Sequence, residues 1–133
     1  MVVKMTNGEM IARANGITRM QEREKKTGSS ILGSNINVVY AISKNKKAII
    51  ELLEPYNEAL KKLISECAET VSDATGEFNI KKDKVDKWVK SINELRQIEV
   101  DVPVFMISFE SIASADLTIS EFEYIDFMVS DPK

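Results

Sequence analysis

Four stretches of the sequence hold residue types that could do chemistry. Gly28 to Ser34 has the G-x-x-x-x-G-S outline of a phosphate loop. A working loop of that kind needs a lysine after its last glycine and a buried strand leading into it. Here Ser34 follows Gly33 directly, and the charged run Arg19 to Lys26 precedes the loop, so a helix–helix connection fits better. Glu121, Glu123 and Asp126 could attract a divalent cation, but hard cations want oxygens converging from a loop or from several elements. Three carboxylates along one helix read as a solvated outer face. Asp73, Thr75 and Glu77 around Gly76 are too few and wrongly ordered for a calcium loop. Lys81, Lys82, Lys84, Lys87 and Lys90 are interleaved with Asp83 and Asp86. Nucleic-acid binding favours unopposed cations with aromatic or glycine-rich companions, so nucleic acid is not the expected partner.

Composition removes further chemistry. The 133 residues contain no histidine, which takes away the commonest acid–base group, the usual hydrolase triads and most zinc sites. Cys67 is the single cysteine, so no internal disulfide can form; on an apolar helical stripe it reads as a small buried hydrophobe. No uninterrupted apolar run reaches the roughly 18 residues needed to cross a bilayer. Met1 to Gly8 is short and polar without an apolar signal region, which leads to the expectation of a protein of the cytoplasm. No cofactor is expected.

Net charge is −3, but it is segregated: +6 over residues 1–50, −2 over 51–97 and −7 over 98–133. A basic front and an acidic end can attract each other within one chain or between chains packed head to tail, or both can be solvated faces. Tyr124 and Phe127 are hard to hide if the last helix buries Phe122 and Ile125. Aromatics beside acidic groups can mark a partner surface, so Glu121, Glu123, Tyr124, Asp126 and Phe127 are the candidate partner-binding residues. A small domain wrapping this helix on two sides is the alternative.

The elements that must position these groups are legible from periodicity. Ser34 to Thr70 carries Val39, Ile42, Ile49, Ile50, Leu53, Leu60, Leu63, Ile64 and Cys67 in steps dominated by three, four and seven. That is the period of one helical face, and one helix of roughly 35 residues would span about 50 Å. Such a helix must be covered by partners. Pro55 interrupts it, as a kink or as the start of a new helix; the stripe continues in phase past it, which favours the kink.

Before the spine, Val2 and Val3 favour a short extended segment. Thr6 and Glu9 then form a capping box opening a helix over residues 7–25, in which Asn15 and Gly16 suggest a bend or close packing. After the spine, Ser72 to Gly76 reads as a turn and Phe78 to Ile80 as a very short strand. Asp83 reads as the cap of a third helix with Val85, Trp88, Val89, Ile92 and Leu95 as its inner stripe, and Trp88 as a core anchor. From Ile98 to Phe109 the period changes to two, a strand that Pro103 places at an edge or interrupts. Its expected partners are Phe78 to Ile80 and the N-terminal segment. A second capping box, Thr118 with Glu121 between Leu117 and Phe122, opens a last helix over roughly 119–129.

Three segments together resemble a known group of proteins: Lys4-Met5-Thr6-Asn7-Gly8-Glu9, then Val39-Tyr40-Ala41-Ile42-Ser43-Lys44-Asn45, then Thr118-Ile119-Ser120-Glu121 before a final helix. The chain is similar in this order to a family of small uncharacterised proteins from tailed phages and prophages of Gram-positive bacteria. The resemblance implies a viral origin and action in the bacterial host cytoplasm or in the virion. It brings no catalytic residues.

The expectation is a single domain of the α+β class, mainly α, with a long helical hairpin, a third helix, a small antiparallel sheet and a short C-terminal helix. The expected function is that of a non-enzymatic phage or prophage protein acting through protein–protein contacts, in particle assembly and with self-association. Inhibition of a host enzyme or bacterial defence complex is the alternative, and an enzyme is the third reading.

Overall fold

The computed structural model describes residues 1–28, 35–71, 77–113 and 115–130. It is an α+β chain, mainly α. Strand β1 (Val2–Thr6) leads directly into α1 (Asn7–Thr27), as the Thr6–Glu9 capping box requires. Thr6 Oγ1 accepts from the Glu9 amide at 3.1 Å, and the Glu9 carboxylate reaches back to the Thr6 amide. Gly28 ends α1 in the left-handed conformation at φ 70°, a backbone that costs glycine no Cβ clash. The remainder of the phosphate-loop outline, residues 29–34, lies outside the described residues, as do 72–76, where a turn is expected.

The expected rod from Ser34 to Thr70 is two helices, α2 (Ile36–Leu52) and α3 (Glu54–Cys67). Pro55 is the second residue of α3, where its missing N–H is an orphan in any case. Leu53 is the joint: its amide bonds back to the Ile49 carbonyl at 3.0 Å and its carbonyl accepts from the Asn57 amide at 2.9 Å. The interruption is thus a single residue. Ile49 is fully buried in the main core and Leu60 is partly buried between the two clusters described below. The inner stripe of α2 differs from the expected one: Val38, Ala41, Ile42, Asn45 and Ile49 face in, whereas Val39 and Ile50 face out.

Beyond Cys67 the chain leaves the helix and Ala68–Val71 forms β2, paired antiparallel with β3 (Phe78–Ile80). The third helix is not capped by Asp83. A 3-10 turn over Lys82–Lys84 comes first, and α4 (Val85–Gln97) begins without a side-chain cap. Of its expected stripe Ile92 is buried, Trp88 and Leu95 are partly buried, and Val85 and Val89 are exposed. Trp88 packs edge-on to Phe78, with ring centroids 5.4 Å apart.

The period-two stretch is shorter than expected. Strand β4 (Glu99–Pro103) stops at its proline and pairs with β1, with Val2 opposite Pro103 and Thr6 opposite Glu99. Its partner is the N-terminal segment and not Phe78–Ile80, which β2 occupies. Strand β5 (Ile107–Ser108) and a 3-10 turn, Phe109–Ile112, follow. The last helix, α5 (Ile119–Ile125), opens on the Thr118–Glu121 capping box and tightens into a 3-10 turn over Asp126–Met128. Strand β6 (Val129–Ser130) then pairs with β5, in parallel. Among the described residues the expected single sheet is therefore three two-stranded ladders, two of them antiparallel.

Helix α1 packs on α2, α4 and α5, and a main core gathers Met10, Ile17, Met20, Val38, Ile49, Val102, Ile125 and Met128. A second, smaller cluster holds Leu63, Cys67 and Ile92 between α3 and α4.

Candidate interaction surface

Of the five residues proposed from sequence as a partner surface, Glu121, Tyr124, Asp126 and Phe127 meet α1. Glu121, expected on the outer side of α5, is buried at 8% exposure. Its carboxylate accepts from Arg23 at both oxygens, at 2.7 and 2.8 Å, and from the Thr118 amide at 3.0 Å. Burial alone would raise its pKa, but the Arg23 and Thr118 hydrogen bonds outweigh it, and the carboxyl is held below its usual range. Asp126 accepts from Arg13 at 2.6 Å, and the Arg13 guanidinium also lies 5.6 Å from the centre of the Phe127 ring. Tyr124 lies over Gly16, where a Cβ would clash with the tyrosine ring. Close packing, not a bend, is the reason for that glycine. Glu123 alone points outward, on the rim of a shallow groove with Glu9, Ala12 and Arg13.

The opposite charges at the two ends of the sequence therefore meet within one chain, through Arg13–Asp126, Arg23–Glu121 and Arg23–Asp116. Among the described residues no group of three or more histidine, cysteine, aspartate or glutamate side chains converges as a metal site would. No helix there is long and apolar enough to cross a membrane.

Among the described residues, one surface that packing leaves unexplained is the outward face of α2. Val38 to Ile42 is apolar without a break, so a helix here cannot hide all of it on one side. Val38, Ala41 and Ile42 take the core. Val39 at 43% and Tyr40 at 52% are left exposed, and Ile50 at 49% extends the patch by three turns. Phe105, 41% exposed, stands beside Tyr40 with ring centroids 5.3 Å apart and planes at 77°. Lys44 Nζ lies 5.6 Å from the centre of the Tyr40 ring and 5.7 Å from that of Phe105. The lysine thus caps both rings by cation–π attraction, which orders three side chains in the open.

Asn45 builds this cluster from beneath. It is buried, and its side-chain amide donates to the Phe105 carbonyl at 2.9 Å while its oxygen accepts from the Phe105 amide at 2.8 Å. A side-chain amide so placed satisfies one strand residue much as a neighbouring strand would. It holds Phe105 against α2 after Pro103 has ended β4. Along the same face Tyr40, Ser43, Lys44, Lys47, Ala48 and Glu51 line a shallow groove.

Sequence reasoning missed this site because it set Val39 and Ile50 on the inner stripe and gave Asn45 no place in the core. The unbroken run Val38 to Ile42 was the available signal. The chain matches no protein-family model, no curated protein and no solved structure.

Proposed function

We propose that the chain is a non-enzymatic protein that works by holding another polypeptide on the outward face of α2. The exposed Tyr40–Phe105–Lys44 cluster carries this reading. Tyrosine and other aromatics ordered before contact are the residue types that anchor protein interfaces, because little side-chain entropy remains to be lost on binding. Glu121 of α5 and Asp126 in the turn after it are engaged by arginines of α1, which favours α2 over the last helix as the contact surface. The resemblance to small phage and prophage proteins supports a setting in the bacterial host cytoplasm or the virion, with particle assembly as the role.

A photo-activated phenylalanine analogue placed at Tyr40 or at Phe105, in a chain produced in a Gram-positive bacterium, tests the reading. Both positions give covalent adducts to a polypeptide, whereas the same analogue at exposed Lys90 on α4 does not. Failure of both positions to join any polypeptide, another copy of the chain included, removes the proposal.

A further inference from the structure

We infer that the polypeptide seated on this surface is a second copy of the chain, docked with its α2 antiparallel to the first. The inference rests on the reading above and names its partner.

The argument is the order of charge along the groove. Lys44 and Lys47 occupy the middle of α2's outward face, Glu51 lies one turn further, and Glu54 opens α3 across the one-residue joint at Leu53. All four are exposed, and among the described residues none is in an ion pair. A foreign acidic segment drawn by the lysines would meet Glu51 and Glu54, and a basic one would meet Lys44 and Lys47. A surface with both signs in sequence is complementary to itself reversed. A two-fold axis near Lys47 and Ala48 sets Lys44 of each copy against Glu51 of the other. Moving the axis towards Ile49 sets Lys47 against Glu51 and Lys44 against Glu54. Both registers pair unlike charges, and two-fold symmetry makes every pair occur twice.

The apolar groups fit the same arrangement. Ile50 and Val39 flank the charged line on one side, and Tyr40 and Phe105 close its end. A face about 25 Å long is smaller than a standard interface, so the dimer is of the weak, concentration-dependent kind. Charge pairs then set its orientation and register.

Two charge-reversed chains test this without knowledge of any other partner: Lys44→Glu with Lys47→Glu, and Glu51→Lys with Glu54→Lys. All four positions are exposed, and circular dichroism with thermal melting establishes that both variants fold. In sedimentation or light scattering over a rising concentration series, the unaltered chain moves towards twice its 15.0 kDa mass. Each variant alone dimerises about tenfold or more weakly. An equimolar mixture recovers the dimer, because each acidic face then meets a basic one. The inference is overturned by a strict monomer in the unaltered chain at high micromolar concentration, by variants that dimerise unchanged, or by a mixture that does not recover. The adducts at Tyr40 and Phe105 separate the two levels: joining to a different protein overturns the second copy and leaves the binding reading standing, whereas no adduct at all removes both.

Discussion

At the scale of single residues, Asn45, Gly16 and Glu121 each make a contact that one substitution tests. Asn45 satisfies both backbone groups of Phe105. Asn45→Ala strands a donor and an acceptor beneath Tyr40, and costs about 2–4 kcal/mol of stability by denaturant titration, at the usual penalty per unsatisfied group. Asn45→Asp fails for a different reason, since a carboxylate cannot donate to the Phe105 carbonyl. Gly16→Ala drives a methyl into the Tyr124 ring, and overpacking of this kind costs about 1–3 kcal/mol. Part of that loss returns in the Gly16→Ala, Tyr124→Ala double variant, so the cycle shows non-additivity.

Glu121 gives the third test, in pH. Its folded pKa lies below the unfolded value near 4.5, so its contribution is present above that pH and is lost as pH falls through the folded value. Glu121→Gln lowers the melting temperature by a few degrees near neutrality and flattens the part of its decline below pH 4.5 that this group supplies. The sequence made both capping boxes legible, because a cap depends on four consecutive residues. It did not show that Glu121 also receives Arg23, 98 residues away, since no local pattern encodes that contact.

At the scale of elements, the joint at Leu53 decides the shape. Periodicity carried the apolar stripe through Pro55 correctly as to type, since Leu53, Leu63 and Cys67 are all buried. It could not show whether one missing amide bends a helix or divides it. Pro55 sits in the first turn of α3, where its fixed φ suits the helix. Pro55→Ala therefore loses the reduced freedom of the unfolded chain and destabilises by about 0.4–1 kcal/mol in denaturant melts. A gain in stability would mean that the proline strains the joint. The strands were legible as short extended runs, but their pairing was not, because ladders join residues as far apart as Val2 and Pro103. Pro103 did mark where β4 ends, although the Val104 amide still donates to the Met1 carbonyl at 2.7 Å.

At the scale of the whole molecule, stability is divided between two clusters of unequal size. The main core draws on α1, α2, β1, β4 and α5, whereas Leu63, Cys67 and Ile92 form a small cluster under α3 and α4. The exposed Lys87–Glu66 pair that spans those helices adds little. Few buried apolar contacts mean a low free energy of local opening. Cys67 is the one thiol, and it lies buried in the small cluster. Its labelling by an aromatic disulfide reagent under native conditions reports an opening well below global unfolding, while amide exchange along Met10 to Met20 stays slow. Equal protection in both regions would show that the two clusters unfold as one.

The pairing of β1 with β4 and the seam between α1 and α5 have a bearing on synthesis. Helix α1 leaves the ribosome early, yet Val102, Ile125 and Met128, which cover it, are made about a hundred residues later. Throughout that interval Met10, Ile17 and Met20 have native cover from α2 alone. Closure over such sequence separations is slow for so helical a chain. The nascent polypeptide should therefore engage ribosome-associated chaperones through its first helix, and should lose them only when α5 has emerged.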